Sequence, residues 1–174
     1  MAVGKIASFT GVMLVILPLP PWNQLLLTIG GLKMVDSTTI LLVEDNPLMR
    51  ETLCDILQVF HPEWRVMTAS NGLEGVEAAQ RNHPDLIVLD LHMPVMNGYE
   101  MALSLQAKPE TCGIPLILNT NEDQNHPLVR RLQSMCKGVL DKPFSLYDLD
   151  RMLSYVLNQR AFSRRDIAST LQAA

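Results

Sequence analysis

The chain has 174 residues, 48% of them apolar and 18% charged, with a net charge of −4. That balance excludes wholesale disorder, and the length suffices to bury a core without disulfides or a structural metal. The negative charge argues against a sequence-independent grip on nucleic acid. Cys54, Cys112 and Cys136 are odd in number, lack metal-ligand spacing and each lie in an apolar stretch. They read as three buried thiols in a reducing compartment.

Charge divides the chain. Residues 1–35 hold Lys5, Lys33 and no acid, whereas the rest carries 12 bases and all 18 acids. Residues 1–35 therefore form an apolar leader on an acidic body at 36–160, followed by a short tail at 161–174. The leader is a poor membrane span, because Pro18, Pro20 and Pro21 interrupt a stretch that would need about 20 apolar residues. It half resembles a secretory signal, with Lys5 before an apolar run but no small-residue cleavage site. Met34 precedes a short polar lead and then an apolar strand, as a natural start would. A spurious upstream start, a signal-like or peripheral anchor and a packed extension all stay open.

From Thr39 strands and helices alternate. Ile40–Val43 is a continuous apolar run, as a strand covered on both faces requires. Pro47 to Phe60 has helical spacing, with Leu48, Thr52, Leu53, Ile56, Leu57 and Phe60 on one face. Trp64–Ala69 reads as a second strand, and Gly72–Arg81 as a helix with Leu73, Val76 and Ala79 inward. Asp85–Asp90 is a third strand and Asn97–Ala107 a third helix. Ile114–Asn119 is a fourth strand, Pro127–Met135 a fourth helix and Gly138–Leu140 a short fifth strand. Leu146–Gln159 is a fifth helix with Leu149, Met152, Leu153, Val156 and Leu157 inward and Ser145 as its N-cap.

Five strands alternating with five helices define βαβ units on one parallel sheet. Right-handed crossovers make it a doubly wound α/β three-layer sandwich. Ligands of such folds bind beyond the carboxyl ends of the strands. Those ends carry Glu44-Asp45, Asp90, Thr120 and, past the fifth strand, Lys142. Crowded carboxylates repel one another, and a hard divalent cation such as Mg²⁺ relieves the conflict with oxygen ligands. Asp90, held at the lip of the central strand, can attack a phosphoryl group to give an acyl phosphate. Lys142, the Thr120 hydroxyl and Mg²⁺ can neutralise the oxygens that gather charge. No general base is required, since a carboxylate is an anion at neutral pH.

The runs Ile40-Leu41-Leu42-Val43-Glu44-Asp45-Asn46, Leu89-Asp90-Leu91-His92-Met93-Pro94-Val95-Met96-Asn97-Gly98, Leu118-Asn119-Thr120 and Lys142-Pro143-Phe144 together resemble the receiver domain of two-component response regulators, of the single-domain, chemotaxis type. The likeness spans roughly residues 38–160. It implies a flavodoxin-like fold with strand order 2-1-3-4-5. It implies Asp90 as phosphoacceptor and Asp45 as a direct Mg²⁺ ligand, with Glu44 acting through water. The main-chain carbonyl of His92 would be a third protein ligand. Thr120 would be the switch hydroxyl and Lys142 the partner of a phosphoryl oxygen, with Lys142-Pro143 a cis peptide. The implied partner is a histidine kinase or histidine phosphotransfer protein, with a further protein target downstream, no nucleic acid, and a membrane only if the leader is native. Homodimerisation stays open, and the implied location is cytoplasmic.

Two positions depart from the family pattern. Val139 stands where an aromatic residue often precedes the lysine, and Asn121 follows the switch threonine in place of a small residue. The usual threonine–aromatic coupling is therefore in question, while the phosphorylation chemistry is untouched. The His92 side chain has no assigned role. His61 and His83 read as loop residues before proline, and the methionines as packing. The tail is too short for a DNA-binding or catalytic output unit, so the output must be a regulated protein contact. Against this stands a pseudo-receiver acting as a constitutive binding module, which predicts loss of an acidic or lysine position. An independent aspartyl phosphohydrolase would want a second Asp where His92 stands.

Overall fold

The structure, a computed structural model, describes residues 38–172, with side-chain surroundings through Gln159. The leader and the side chains of the tail fall outside that description. Five strands, β1 (Thr39–Val43), β2 (Arg65–Ala69), β3 (Leu86–Asp90), β4 (Leu116–Thr120) and β5 (Gly138–Asp141), alternate with five helices, α1 (Pro47–Phe60), α2 (Gly72–Asn82), α3 (Gly98–Gln106), α4 (Pro127–Gln133) and α5 (Leu146–Gln172). The sheet is parallel throughout, in the order β2-β1-β3-β4-β5. That is the doubly wound, flavodoxin-like arrangement that the alternation and the resemblance imply. The fifth helix continues past Gln159 to Gln172.

The two faces of the sheet bury separate cores. Leu41, Val43, Ile87, Leu89, Leu116 and Leu118 pack with Val76, Ala79, Met101, Ala102, Leu105, Val129 and Leu132, the inward residues of α2, α3 and α4. Ile40, Leu42, Leu86, Val88, Ile117 and Leu140 pack with Leu53 and Leu57 of α1 and with Leu149, Leu153 and Val156 of α5. Successive strand residues alternate between the two cores, as the pleat dictates. Burial of all of β3 and β4, and of β1 from Ile40 on, explains why their sequences are nearly continuous apolar runs.

The inward stripes are narrower than their spacing suggests. On α1, Leu53 and Leu57 are buried, whereas Leu48 and Phe60 are 74% and 57% exposed and Thr52 is exposed too. On α2, Val76 and Ala79 face inward with Gly72 and Gly75, and Leu73 is exposed. A Cβ at Gly75 would lie 2.7 Å from the Met101 methyl, so α2 sits close to its neighbours on a face of small residues. The thiols also differ from expectation. Cys112 lies exposed in the turn after α3, and Cys54 and Cys136 are half-buried. In the α3–β4 turn Thr111 Oγ1 donates to the Leu105 carbonyl at 2.8 Å, while Ile114 is buried in the core.

Candidate functional site

Local capping places the acidic residues at the sheet's carboxyl edge. Asn46 accepts from the Leu48 and Met49 amides, at 3.0 and 3.1 Å, and Pro47 opens α1. β1 is thereby stopped sharply, with Glu44 and Asp45 on the turn between strand and helix. The Arg50 guanidinium folds back onto the main-chain oxygens of Glu44 (2.7 Å) and Asp45 (3.2 Å). It braces the turn and adds positive charge beside the acids. Arg50 carries no motif signal, because its target is backbone.

Asp90 ends β3, and its Oδ1 accepts from the Leu91 amide at 2.6 Å and more weakly from the His92 amide at 3.4 Å. The following loop returns so tightly that the Gly98 amide bonds the Leu91 carbonyl at 2.9 Å. A Cβ at Gly98 would overlap the Asp90 carbonyl oxygen, so only glycine fits. Asn97 then caps α3 in a reciprocal box with Glu100, at 2.9 and 3.0 Å. Val95, at φ 67°, takes a left-handed conformation unusual for a β-branched residue.

Lys142 closes the cluster from the far end of the chain. Its Nζ donates to Asp90 Oδ2 at 2.7 Å and to Glu44 Oε2 at 2.9 Å. The Lys142 amide bonds the Thr120 carbonyl at 2.7 Å, and the Lys142-Pro143 peptide is cis. Burial disfavours the ammonium charge. The hydrogen bonds and attraction of Asp90 and Glu44 outweigh it, so the amine titrates above its ordinary range. Each of Glu44, Asp45 and Asp90 offers a carboxylate oxygen within 4.8 Å of the other two. Three carboxylates against one ammonium leave excess negative charge, and the donors are all hard oxygens, which is the donor set Mg²⁺ prefers. The residues therefore fit the cation.

Thr120 is fully buried, with its Oγ1 accepting from the Glu122 amide at 3.1 Å. It stands at the same edge but is not hydrogen-bonded to Asp90. The His92 ring turns away from the cluster, its Nε2 lying 3.0 Å from Glu122 Oε1, and its edge approaches His126. His83 caps α2 in the left-handed region. His61 is more than a loop residue, since its ring stacks on Trp64 with centroids 3.6 Å apart and its Nε2 meets Asp150 Oδ1 at 2.6 Å. Beside the cluster, a cavity of about 480 Å³ opens between α1 and the start of α5, lined by Met49, Leu53, Ile56, Lys142, Phe144 and Leu146.

A doubly wound parallel sheet with three clustered carboxylates and a lysine on its carboxyl edge is consistent with one class of protein, the signal-receiving domains. The family model for the response regulator receiver domain matches residues 40–154, and the chain belongs to that family, as a receiver domain of two-component signalling. The protein PilH of Pseudomonas aeruginosa is 31% identical over 118 residues, covering 68% of this chain and 96% of that protein. The probable transcriptional regulatory protein TcrX of Mycobacterium tuberculosis is 30% identical over 135 residues, 78% of this chain and 53% of the relative. A hybrid signal transduction histidine kinase of Dictyostelium discoideum is 36% identical over 110 residues, and only 7% of its length is covered. The chain thus spans about half or less of several curated relatives that it matches. Among solved structures, the receiver domain of a sensor histidine kinase of Pseudomonas aeruginosa holds magnesium in its active-site cleft. It superposes with a TM-score of 0.63 at 29% identity, over 70% of this chain and 98% of its own. The chemotaxis response regulator CheY4 of Vibrio cholerae gives a TM-score of 0.61 at 28% identity, over 68% of this chain and 98% of its own.

Among the described residues no helix is long and apolar enough to cross a membrane.

Proposed function

We propose that Asp90 accepts a phosphoryl group from a phosphohistidine on a sensor kinase or phosphotransfer protein. The observation that carries this reading is the Lys142 ammonium bridging Asp90 and Glu44 at 2.7 and 2.9 Å, beside the Asp45 carboxylate. An Asp90 carboxylate oxygen attacks phosphorus, the phosphorus–nitrogen bond of the donor breaks, and the imidazole leaves with the bonding pair. The product is an acyl phosphate on Asp90. Glu44, Asp45, Asp90 and the His92 main-chain carbonyl would hold Mg²⁺, which when bound supplies positive charge to the transferring group. Lys142 orients Asp90 beforehand and then meets a phosphoryl oxygen. The Leu91 and His92 amides hold the other Asp90 oxygen, so the nucleophile approaches from a fixed direction.

Thr120 serves as the switch group. Its hydroxyl now accepts from Glu122 and can instead donate to a phosphoryl oxygen, which would pull the β4–α4 loop inward. Val139, half-buried on β5, has no ring to follow that movement, so the signal travels through the loop and α4. The output is a regulated contact with another protein in the cytoplasm.

Incubation with Mg²⁺ and acetyl phosphate tests the reading. One acid-labile phosphoryl group per chain is the expected gain, and Asp90→Asn should abolish it. Labelling that persists in Asp90→Asn would refute the assignment, and a parent protein that never labels would point to a constitutive binding module.

A further inference from the structure

Asn119 is the penultimate residue of β4 and only 2% exposed, yet its Oδ1 has no hydrogen-bond partner. A buried, unpaired acceptor lowers stability, and an apolar residue of similar shape would not. Its position is informative. The β3–β4 register sets Asn119 beside Asp90, and the β4–β5 register sets it beside Leu140. Val88, Ile117 and Leu140 all point into the core beneath α1 and α5. Two residues further on, Asp90 and Asn119 continue that face, and so does the direction in which Lys142 leaves β5. To reach Asp90 on β3, the Lys142 side chain must cross the end of β4, where Asn119 lies. The ammonium has three N–H donors, and Asp90 and Glu44 take two of them.

We infer that Asn119 is a positioning residue for phosphoryl transfer, its amide oxygen receiving the third N–H of Lys142 as the ammonium shifts from the Asp90 carboxylate to the incoming phosphoryl group. This rests on the proposed role of Asp90. Once an Asp90 oxygen bonds to phosphorus, the negative charge moves from the carboxylate to the phosphoryl oxygens. The ammonium must follow while keeping Glu44, and its hold on Asp90 weakens. A neutral acceptor on the intervening strand keeps the head in place without adding a fourth carboxylate to a site already rich in negative charge. An apolar residue would leave the ammonium on a two-point hold at the moment it is needed.

Threonine and valine have the same shape and differ by a hydroxyl in place of a methyl, so Asn119→Thr retains a polar group able to accept and Asn119→Val does not. The rate of acid-labile labelling by acetyl phosphate is measured at saturating Mg²⁺ and donor. Asn119→Val should label at least about fivefold more slowly, with a urea midpoint at or above that of the parent, and Asn119→Thr should label near the parental rate. In a Lys142→Gln background, Asn119→Val should slow labelling no further, because the group through which Asn119 acts is gone. Asn119→Leu provides a second apolar variant should valine fold poorly. Parental labelling by the folded apolar variants would overturn the inference. Equal slowing by Thr and Val would also overturn it, as would a full-sized effect in the Lys142→Gln background. If the parent does not label, or Asp90→Asn does, the reading of Asp90 fails and the inference with it.

Discussion

Replacing Lys142 with methionine keeps an unbranched stem of similar length and removes the charge together with the N–H donors that bond Asp90 and Glu44. In the native protein the Lys142, Glu44 and Asp90 side chains are 17%, 5% and 10% exposed. Losing the ammonium leaves two nearly buried carboxylates facing each other, with Asp45 close by. Removing one partner of a buried ion pair costs about 3–5 kcal/mol, mostly through the charge left unpaired. That is a large part of the roughly 5–15 kcal/mol that holds a domain folded, and for this size corresponds to a fall in Tm of about 10–15 °C. Urea unfolding at pH 7.5 with EDTA should show this loss. Mg²⁺ should then restore more stability to Lys142→Met than it adds to the parent, since it binds the folded site alone and meets no competing ammonium. At 100 times its Kd a ligand contributes about 2.7 kcal/mol. The pH dependence has a defined sign. Because the Lys142 pKa is raised on folding, its contribution is complete below the unfolded value of about 10.4 and is lost as pH rises through the folded one. The gap between parent and variant should therefore hold between pH 7 and about 10 and narrow above. A Lys142→Met protein within about 1 kcal/mol of the parent in EDTA would refute the electrostatic account.

Gly98→Ala should destabilise the domain by about 1–3 kcal/mol, the usual cost of overpacking, since its Cβ would overlap the Asp90 carbonyl oxygen; an unchanged urea midpoint would show that the loop yields freely. Val95→Asn should stabilise it by about 1 kcal/mol, because asparagine tolerates the left-handed region and Val95, 79% exposed, gives up no packing. Equal or lower stability would mean that the strain at φ 67° is negligible. With a thiol-specific aromatic disulfide at pH 8, Cys112 should react fast and Cys136 only on unfolding. Burial pushes the Cys136 thiol up to about 12, which leaves almost no thiolate. Three equally fast thiols in the native protein would contradict the packing of Cys136 against the core.

What the sequence determined by itself was whatever depends on neighbours along the chain. The Leu86–Leu89 run, short, apolar and set among alternating helices, reads as a strand covered on both sides. The start of the fifth helix was legible from Ser145 as its N-cap, and the structure contains that cap, with the Asp148 amide bonding Ser145 Oγ at 3.1 Å. The acidic turn, Asp90 and Lys142 were legible as well, because strand ends in a parallel sheet all face one edge. Residues with more than one geometric option were decided only by packing. Leu48, Phe60 and Leu73 satisfy helical spacing but lie on the flank, because a helix can rotate about its axis until its smallest or best-fitting face meets the sheet. In α2 that face includes Gly75, whose Cβ would meet Met101 and Val43, and no hydrophobic pattern registers it. Arg50 finds backbone oxygens, and His92 finds Glu122 on a separate loop. Asn119, one more polar residue near a strand end in the sequence, becomes a buried, unpaired acceptor beside Asp90. These facts depend on which strands lie side by side and in what register, and only the closed sheet, with Lys142 reaching across β4 to residues 52 and 98 positions away, sets them.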